Sequence, residues 1–493
     1  MSNLKNLRDF LALLESRSEL VRVREPVSRD LEITEIALRA VRAGGPALLF
    51  ERVTGFETPL LINLFGTERR MAWALGGESL AEVAGRIEET IKLTPPGGLR
   101  EKLAMLPKLA GLARILPRTV SKGACQELVF TGDQVDLERI PAQLCWPGDG
   151  GHYLTQTQVF TRDPATGARN VGMYRVQIFD KNTCGMHWQM HKVGAQHHRE
   201  AEARGERVEV AIAFGGHPAM IYAASAPLPE GIDECLLAGF LADRPIELVR
   251  GRTVSLEVPA EAEYVIEGYV EPGERRLEGP FGDHTGYYSL AELYPVLHVT
   301  AITQRRDAIY PSIVVGPPPQ EDGPMGKATE RLFLPLIKTQ FPEIVDMHLP
   351  VEGVFHNIAL ISIKKRYPGH ARKMMQAIWG TGQLMFTKIV IVVDEDVDVQ
   401  NLPEVVWRVT ANIDPKRDAV FADGITDVLD HASDRIGLAG KLGIDATRKW
   451  PEEGFPREWP EVLAMDPAVR ARVDALWPTL GIDLPSDPGR PKA

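Results

Sequence analysis

The feature that most constrains this fold is a central run of short extended segments between about residues 120 and 303. These segments are rich in Val, Ile, Tyr and Thr, and turn signals separate them at short intervals. Segments 153–161, 170–179 and 184–190 follow one another with short turns between them, which is typical of a β-meander. Further extended segments are predicted at 208–214, 220–225, 247–249, 254–258 and 264–270. The middle of the chain is therefore predicted to be a β core of barrel or sandwich type.

Helical and extended patterns alternate on both sides of this core. The chain has 493 residues, enough for about three domains of ordinary size. We predict an N-terminal α/β domain at 1–118, a β domain at 119–305, a second α/β domain at 306–444 and a partly helical tail at 445–493. The predicted fold class is thus α/β with a central all-β domain.

Individual elements are predicted in both flanking regions from the spacing of apolar residues. Before the core, the pattern predicts an amphipathic N-terminal helix, extended segments at 20–27, 47–53 and 59–64, and helices at 80–92 and 99–116. After the core, it predicts extended segments at 358–364 and 388–393 and helices at 372–379 and 403–412.

Charge and composition exclude several classes of protein. The formal net charge is −11 and Lys and Arg form no long run, which argues against nucleic-acid binding. The apolar runs are much shorter than the ~18 residues that a membrane span needs, and the N-terminus lacks a signal peptide's apolar core, so we expect a cytoplasmic protein. The four cysteines occur singly, without the pairing of a disulfide framework or a zinc knuckle. The glycines at 380–382 and 437–440 lack the spacing of nucleotide-binding loops.

A first concentration of polar residues spans two neighbouring segments of the predicted meander. Asn170 and Arg175 lie on one segment, and His187, His191 and Lys192 lie on or just after the next. If the segments pair, these groups converge into a cationic pocket that suits an anionic ligand. The alternative interpretation is that each histidine is an ordinary hydrogen-bonded group.

A second concentration is a turn with an acid at each end. Glu278 and Asp283 are separated by Gly-Pro-Phe-Gly, a rigid turn that can hold both carboxylates against one cavity, next to His284. Paired carboxylates near a fixed arginine can divide proton-transfer roles between them. The alternative is a polar turn with solvated acids.

Glu234 is predicted at the start of a helix, where a negative charge is favoured in any case.

Together these residues resemble the UbiD family of decarboxylases, which use prenylated FMN. The resemblance rests on Asn170-x-Gly-x-x-Arg175, on His191 and Glu234, and on the block 278–283, and it extends from segment 32–36 to segment 443–450. The segments that look more like the menaquinone branch than the ubiquinone branch are 170–175, 185–189, 314–318, 328–331 and 353–357.

The resemblance implies a flavin-binding split β-barrel flanked by N- and C-terminal α/β domains, with a C-terminal segment that reaches across a homodimer or larger homo-oligomer. It implies that Asn170, His191 and Glu234 hold a Mn²⁺ ion that bridges to the cofactor phosphate, and it admits a K⁺ ion nearby. An amide oxygen, an imidazole and a carboxylate suit a hard divalent cation. The residues implied to line the flavin are Met173, Tyr174, Arg175, His187, Trp188, Gln189, Lys192 and Lys388.

The same resemblance implies a catalytic set of Arg175, Glu278 and Asp283. Arg175 would pair with the substrate carboxylate, and Glu278 would hold Arg175 and assist proton transfer. Asp283 would protonate the carbon that loses CO₂. We expect Asp283 to be an unpaired acid in a dry pocket, where its pKa is raised.

The predicted function is the non-oxidative decarboxylation of an aromatic acid in quinone biosynthesis. A (prenylated) 1,4-dihydroxy-6-naphthoate of menaquinone biosynthesis is favoured over 3-polyprenyl-4-hydroxybenzoate of ubiquinone biosynthesis, because His187 and Lys192 stand where the ubiquinone branch has arginines. A lipid-tailed substrate implies peripheral contact with the inner face of the membrane, and the cofactor implies a flavin prenyltransferase as its supplier.

Two alternatives come from other classes of protein. A non-catalytic flavin-phosphate-binding protein is disfavoured because the implied catalytic set is complete. A metallohydrolase is disfavoured because Trp188 stands between His187 and His191 where a zinc protease has its glutamate.

Overall fold

The structure is a computed structural model that describes residues 4–92, 114–229 and 231–483. The chain divides into two units, Met1–Pro335 and Leu336–Ala493. Strands and helices occur in both units, so the predicted mixed α/β organisation is confirmed. The predicted helix at 99–116 lies mostly outside the described residues.

The elements of the first unit are as follows. Its strands are β1 (Leu20–Val23), β2 (Ala47–Phe50), β3 (Leu60–Ile62), β4 (Arg118–Val120), β5 (Leu128–Thr131), β6 (Tyr153–Leu154), β7 (Gln158–Arg162), β8 (Arg169–Gly172), β9 (Val176–Ile178), β10 (Thr183–Met186), β11 (Val208–Gly215), β12 (Glu247–Arg250), β13 (Glu257–Pro259), β14 (Ala262–Glu278), β15 (Glu292–Gln304) and β16 (Tyr310–Pro311). Its helices are α1 (Leu7–Ser16), α2 (Glu32–Arg42), α3 (Glu68–Ala74), α4 (Leu80–Ile91), α5 (Val193–Ala203), α6 (Pro218–Ala223), α7 (Glu234–Ala242) and α8 (Asp322–Gln340), which extends beyond Pro335.

The N-terminal layer is a four-stranded sheet in the order β1-β2-β3-β16. Helix α1 begins after Asn6, whose side chain accepts hydrogen bonds from the first free backbone N–H groups. Its apolar stripe is buried, with Leu7, Phe10 and Leu14 fully shielded from solvent. The predicted amphipathic helix and the predicted strands β1, β2 and β3 are therefore confirmed, with shorter bounds for the strands.

The centre of the first unit is an antiparallel sheet in the order β6-β9-β10-β15-β14-β11-β7-β8, with β5 paired to β15. The predicted pairing of segment 170–179 with segment 184–190 is confirmed, since β9 pairs with β10. Segments 153–161 and 170–179 each break into two strands, β6 with β7 and β8 with β9. Because β9, β10, β15 and β14 are consecutive neighbours, residues far apart in sequence meet at their ends.

One predicted strand is wrong. Segment 220–225 was expected to be extended, but Pro218–Ala223 forms helix α6. Pro218 occupies the first helical turn, where its missing N–H costs nothing, and the ring of His217 accepts a hydrogen bond from the Ala219 N–H. The helix is buried on all sides, so no apolar periodicity distinguishes it from a buried strand.

The second unit is a five-stranded sheet in the order β17-β18-β19-β21-β20. Strands β18, β19 and β21 run parallel, and the two edge strands are antiparallel to their neighbours. The predicted alternation of strands and helices is confirmed here. The elements are β17 (Ile344–His348), β18 (Ile358–Ile363), α9 (His370–Trp379), β19 (Ile389–Asp394), α10 (Leu402–Asn412), α11 (Pro415–Asp418), β20 (Ala419–Ile425), β21 (Leu438–Asp445) and α12 (Pro467–Leu476).

Helix α12 lies in the predicted tail and is exposed along its length. Its apolar side chains Val469, Val473 and Leu476 share one face at helical spacing and are 46%, 37% and 44% exposed. Among the helices of the described residues, none is both long enough and apolar enough to cross a membrane.

Candidate active site

The turn that follows β14 carries both predicted acids. β14 ends at Glu278, and Asp283 lies in the loop that leads to β15. Asp149 fixes this loop from the opposite side: its Oδ1 accepts a hydrogen bond from the Gly282 N–H at 2.7 Å, and its Oδ2 accepts one from the Trp146 N–H at 2.8 Å. The half-buried carboxylate of Asp149 thus joins the acid loop, residues 278–283, to the segment that precedes β6.

Arg175 lies between the two acids, directly before β9. Its Nε and Nη2 donate to the two carboxylate oxygens of Glu278 at 2.9 and 3.0 Å, and its Nη1 donates to Asp283 Oδ2 at 2.5 Å. Nη2 also donates to the hydroxyl of Ser289 at 2.9 Å, and the ring of Phe281 lies 4.9 Å from the guanidinium carbon. Arg175 and both acids are almost completely buried. The predicted convergence of these residues is therefore what the structure shows.

The charges of this cluster support one another. Burial would raise the pKa of Glu278, but hydrogen bonds from His187 and Arg175 outweigh it and lower that pKa to about 2. Burial also opposes ionisation of Asp283, yet His284 and Arg175 hold the pKa of its carboxyl well below its usual range. Burial would lower the pKa of the Arg175 guanidinium. The carboxylates of Asp283 and Glu278 outweigh this effect and raise that pKa. Both acids are therefore ionised around a permanently charged Arg175.

This arrangement corrects one prediction from the sequence. Asp283 was expected to be unpaired, with a raised pKa, and that expectation is wrong. Its Oδ1 accepts hydrogen bonds from the backbone N–H and the Nδ1 of His284, both at 2.8 Å, and its Oδ2 faces Arg175. The burial that raises the pKa of a lone acid is present, but these partners outweigh it.

His187 follows directly after β10, and its ring is buried beside Glu278. Nδ1 lies 3.0 Å from Glu278 Oε2, and the ring packs against Tyr294 with a centroid distance of 4.4 Å. The structure thus places this residue, implied by the resemblance to line a flavin, in contact with the acid that holds Arg175.

The three implied metal ligands lie on separate elements. Asn170 is on β8, and Glu234 is the first residue of α7, as predicted. The N–H of Val171 donates to Glu234 Oε2 at 3.0 Å, so the Glu234 carboxylate lies beside the strand that carries Asn170. Burial raises the pKa of Glu234 to about 7. His191 is exposed, in the segment between β10 and α5.

Several of the implied flavin-lining residues surround the start of α5. The hydroxyl of Tyr174 accepts a hydrogen bond from the Gly194 N–H at 3.4 Å. Trp188 is buried, and its indole Nε1 has no hydrogen-bond partner among the described residues. A Cβ added to Gly194 would lie 3.0 Å from that Nε1. Met173 instead contacts the end of α6, where its N–H donates to the Ala224 carbonyl at 2.8 Å.

The other implied lining residues are placed differently. Lys192 caps the start of α5 and donates its N–H to the Gln189 carbonyl at 3.0 Å. Lys388 belongs to the second unit, directly before β19, where its ammonium group pairs with Asp430 at 3.0 Å.

Reasoning from the sequence missed four residues that fix this site. Ser289 and Tyr294 contact Arg175 and His187, and Asp149 and Gln177 hold the acid loop. A weak signal exists for Asp149, since an aspartate after Pro-Gly is typical of a turn. Gln177 accepts from the Gly279 N–H at 2.9 Å, a contact that only the sheet order reveals.

Comparison with known proteins identifies the family. A model described as the 3-octaprenyl-4-hydroxybenzoate carboxy-lyase Rift-related domain matches residues 118–318. Models of the N-terminal and C-terminal domains of the same enzyme match residues 11–88 and 324–446. The chain belongs to the UbiD family. It is a carboxy-lyase, and the resemblance stated from the sequence is confirmed at the level of the family.

Relatives of this UbiD-family chain span nearly its whole length. An uncharacterised protein of Aquifex aeolicus is 50% identical over 482 residues, which is 97% of this chain and 99% of that protein. The vanillic acid decarboxylase of Sedimentibacter hydroxybenzoicus has a TM-score of 0.85 at 29% identity and covers 97% of this chain and 99% of its own.

A second solved relative is the UbiD-class enzyme HmfF from Pelotomaculum thermopropionicum. Its complex with FMN has a TM-score of 0.76 at 33% identity, covering 92% of this chain and 97% of that chain. An evolved dimeric form in complex with prFMN has a TM-score of 0.75 at 31% identity, covering 92% and 96%. The α/β fold of this UbiD-family chain is therefore that of UbiD-class decarboxylases.

Proposed function

We propose that this protein decarboxylates an aromatic carboxylic acid without oxidation, using prenylated FMN. The observation that carries the proposal is the buried Arg175, held between Glu278 and Asp283. A buried cation between two buried acids offers a carboxylate-binding group and a proton carrier at one place.

The proposed cofactor site is the region around β8 and the start of α5. Loss of CO₂ leaves an electron pair that amino-acid side chains cannot accept, and prenylated FMN supplies the acceptor. Trp188 with its unpartnered Nε1, together with the close approach allowed by Gly194, fits a planar ligand with polar edges. The positive end of α5 favours a phosphate group. We propose Met173, Tyr174, Gln189, Lys192 and Lys388 as further lining residues.

The proposed metal ligands are Asn170, His191 and Glu234. Their chemistry fits a Mn²⁺ ion that shares ligands with a phosphate, since it combines an amide oxygen, an imidazole and a carboxylate. Glu234 carries a raised pKa because it is buried, and a nearby cation would stabilise its ionised form. A K⁺ ion in the same region belongs to this proposal.

Arg175 would orient the substrate, and Asp283 would protonate the product carbon. Nη1 of Arg175 is occupied by Asp283, so a substrate carboxylate that binds there must displace that contact. Asp283 would then lose one of the partners that lower its pKa, and its burial would favour the protonated form. The arrival of the substrate would thus raise the pKa of Asp283 relative to that of Glu278, which keeps both of its hydrogen bonds from Arg175.

For the substrate, we propose a (prenylated) 1,4-dihydroxy-6-naphthoate of menaquinone biosynthesis, with 3-polyprenyl-4-hydroxybenzoate of ubiquinone biosynthesis as the second candidate. The ring of His187 contacts Glu278 and is neutral. An arginine at this position would place a positive charge beside Glu278 instead. A lipid-tailed substrate would require peripheral contact with a membrane, and the cofactor would require a flavin prenyltransferase.

We also propose the domain division 1–118, 119–305, 306–444 and 445–493, with the tail contacting a second copy of the chain. The matched ranges 11–88, 118–318 and 324–446 support the first three divisions. The exposed apolar face of α12 supports the role of the tail, because apolar side chains at helical spacing are stabilised when another surface covers them.

The test is a CO₂-release assay on protein co-expressed with a flavin prenyltransferase. We expect a flavin absorbance spectrum and CO₂ release from dihydroxynaphthoate that exceeds release from 4-hydroxybenzoate substrates. Bound flavin with no release from either acid would favour the non-catalytic binding protein. A colourless protein that retains a metal would contradict the proposal.

Replacing Glu234 by Gln tests the metal site. We expect the bound Mn²⁺ to fall and the flavin affinity to weaken by at least about 10-fold to 100-fold, the cost of losing even an outer partner of a metal site. Metal content by elemental analysis and flavin content by absorbance measure both effects. Glu257→Gln is the matched control, because Glu257 also faces Arg169 on this side of the unit but is not a proposed ligand. Unchanged metal content in Glu234→Gln would refute the assignment.

A further inference from the structure

His187 occupies a fixed and almost fully buried position beside the acid–arginine cluster. Its side chain is 8% exposed, its Nδ1 lies 3.0 Å from Glu278 Oε2, and its ring packs against Tyr294. In this position Nδ1 of the ring faces the carboxylate.

The surroundings determine which ring nitrogen carries the proton. Nε2 is buried and has no hydrogen-bond partner among the described residues. In a charged ring, the N–H on Nε2 would be buried without a partner, and the positive charge would lie close to Arg175. Burial and the charge of Arg175 both lower the pKa of His187. A neutral ring with its proton on Nε2 would leave the same unpaired donor and turn a lone pair towards Glu278. The neutral form with the proton on Nδ1 avoids both costs, so Nδ1 donates to Glu278.

This contact makes the two acids respond unequally to a substrate. Glu278 accepts from Nε and Nη2 of Arg175 and from His187, while Asp283 accepts from Nη1 of Arg175 and from the backbone N–H and Nδ1 of His284. A substrate carboxylate that takes over Nη1 removes a donor from Asp283 and leaves the three donors of Glu278 in place. The acid that keeps its donors stays ionised, and the other becomes the better proton carrier.

We propose that His187 is a positioning residue that keeps Glu278 anionic and bound to Arg175, so that Asp283 carries the catalytic proton. This inference rests on the proposed decarboxylation. In each turnover Asp283 gives its proton to the carbon that loses CO₂, becomes a carboxylate, and regains a proton from solvent. The substrate enters as a carboxylate, and the products are CO₂ and the protonated arene.

Three substitutions separate the hydrogen bond from the volume of the ring. The amide of Asn can replace the Nδ1 donor, the amide of Gln reaches the place of Nε2, and Leu removes both ring nitrogens. We expect His187→Asn to keep kcat within about 3-fold of wild type. His187→Gln and His187→Leu should lose about 10-fold to 100-fold in kcat, the range expected for a hydrogen bond to a charged group.

The pH profile distinguishes this role from a packing role. Without the His187 donor the pKa of Glu278 rises, so the acid limb of the kcat/KM profile should move to higher pH in His187→Leu and stay in place in His187→Asn. Equal losses in all three variants, with an unmoved acid limb, would overturn the proposal. The titratable or charged groups that face this contact are Arg175, Asp283, Tyr153 and Tyr294.

A second readout needs neither cofactor nor turnover. In protein labelled with [¹⁵N]histidine, the signals of His187 are identified by their loss in His187→Asn. We expect the neutral tautomer with the proton on Nδ1 from pH 6 to pH 8, and a shift of the tautomer balance in Glu278→Gln. A ring protonated on Nε2, or a charged ring, would overturn the proposal even if wild type releases CO₂. If the wild-type protein releases no CO₂, the proposed function fails. The ¹⁵N spectrum still decides the protonation state of the His187 ring in that case.

His298→Asn is the matched control for both readouts. His298 lies on β15 of the same sheet and pairs with Glu274 through Nε2 at 2.6 Å, outside the acid–arginine cluster. We expect its kcat and pH profile to match those of wild type. A loss equal to that of His187→Leu would show that any histidine–glutamate pair in this sheet affects activity, and would overturn the specific role of His187.

Discussion

Asp283→Asn is expected to lower kcat by about 10²-fold to 10⁴-fold while the bound cofactor stays in place. Asparagine has the same shape, and its carbonyl oxygen can still accept from the His284 N–H. It cannot carry and release the proton that the product carbon needs, and positioned proton transfer contributes a factor of this size. CO₂ release measures the loss, and the flavin absorbance of the same sample measures retention.

The control for this substitution is Asp180→Asn. Asp180 also accepts backbone N–H groups, from Asn182 and Thr183, and also faces an arginine, Arg276 at 3.3 Å, but it lies at the turn between β9 and β10. We expect its activity to be unchanged. If Asp283→Asn loses the cofactor along with the activity, then Asp283 supports binding and its assignment as proton donor is incorrect.

The parts of the acid–arginine cluster were visible as local patterns, and the family resemblance joined them into one set. Glu278 and Asp283 bracket a Gly-Pro turn, and Arg175 lies on one of two segments whose short connection predicts pairing. Local patterns of this kind indicate which residues share a turn or a hairpin, but they do not indicate how hairpins pack together. The contact between Arg175 and Glu278 could not be predicted from them, because it depends on the strand order β9-β10-β15-β14.

The state of Asp283 could not be predicted for the same reason. From sequence, a buried acid has a raised pKa because burial is the one effect that composition suggests. The opposite shift arises from His284 and Arg175, and only the first is a neighbour in sequence. His284 was noted in the turn, but its ring can point to either side of the loop.

Two helices were missed for different reasons. Helix α2 begins after Leu31, which has a φ of 66° and provides no side-chain cap, although Glu32 and Glu35 lie in its first turn and Arg39 and Arg42 in its last. Helix α6 has a clear start at Pro218, but its buried surroundings remove the periodicity that identifies a helix. Helix α6 is therefore identified only by its packing, whereas α2 carries charges that favour a helix at both of its ends.

Arg175→Met is expected to lower the free energy of unfolding by about 3–5 kcal/mol at pH 7. Removing one partner of a buried ion pair leaves an uncompensated charge, and here two carboxylates lose their partner. Methionine fills most of the volume, so the loss reports charge rather than a cavity. Urea unfolding followed by circular dichroism measures the change.

Arg275→Met is the matched control. Arg275 also binds one glutamate through two hydrogen bonds, to Glu202 at 3.0 Å each, but both side chains are over a quarter exposed. Water screens such a pair, so the expected loss is about 0–1 kcal/mol. Similar losses in the two variants would mean that the buried cluster is no more strongly coupled than a surface pair.

The pH dependence of the loss identifies its cause. In wild type the pKa of Glu278 lies below its ordinary value, so its ionisation stabilises the fold above about pH 4.5 and that contribution is lost as the pH falls towards 2. In Arg175→Met burial raises the pKa of Glu278, so the variant loses stability as the pH rises above 4.5. The difference between wild type and variant should therefore grow from pH 4 to pH 7, and adding Glu278→Gln should remove part of it. A difference that is constant with pH would mean that lost packing, and not the unpaired carboxylates, destabilises the variant.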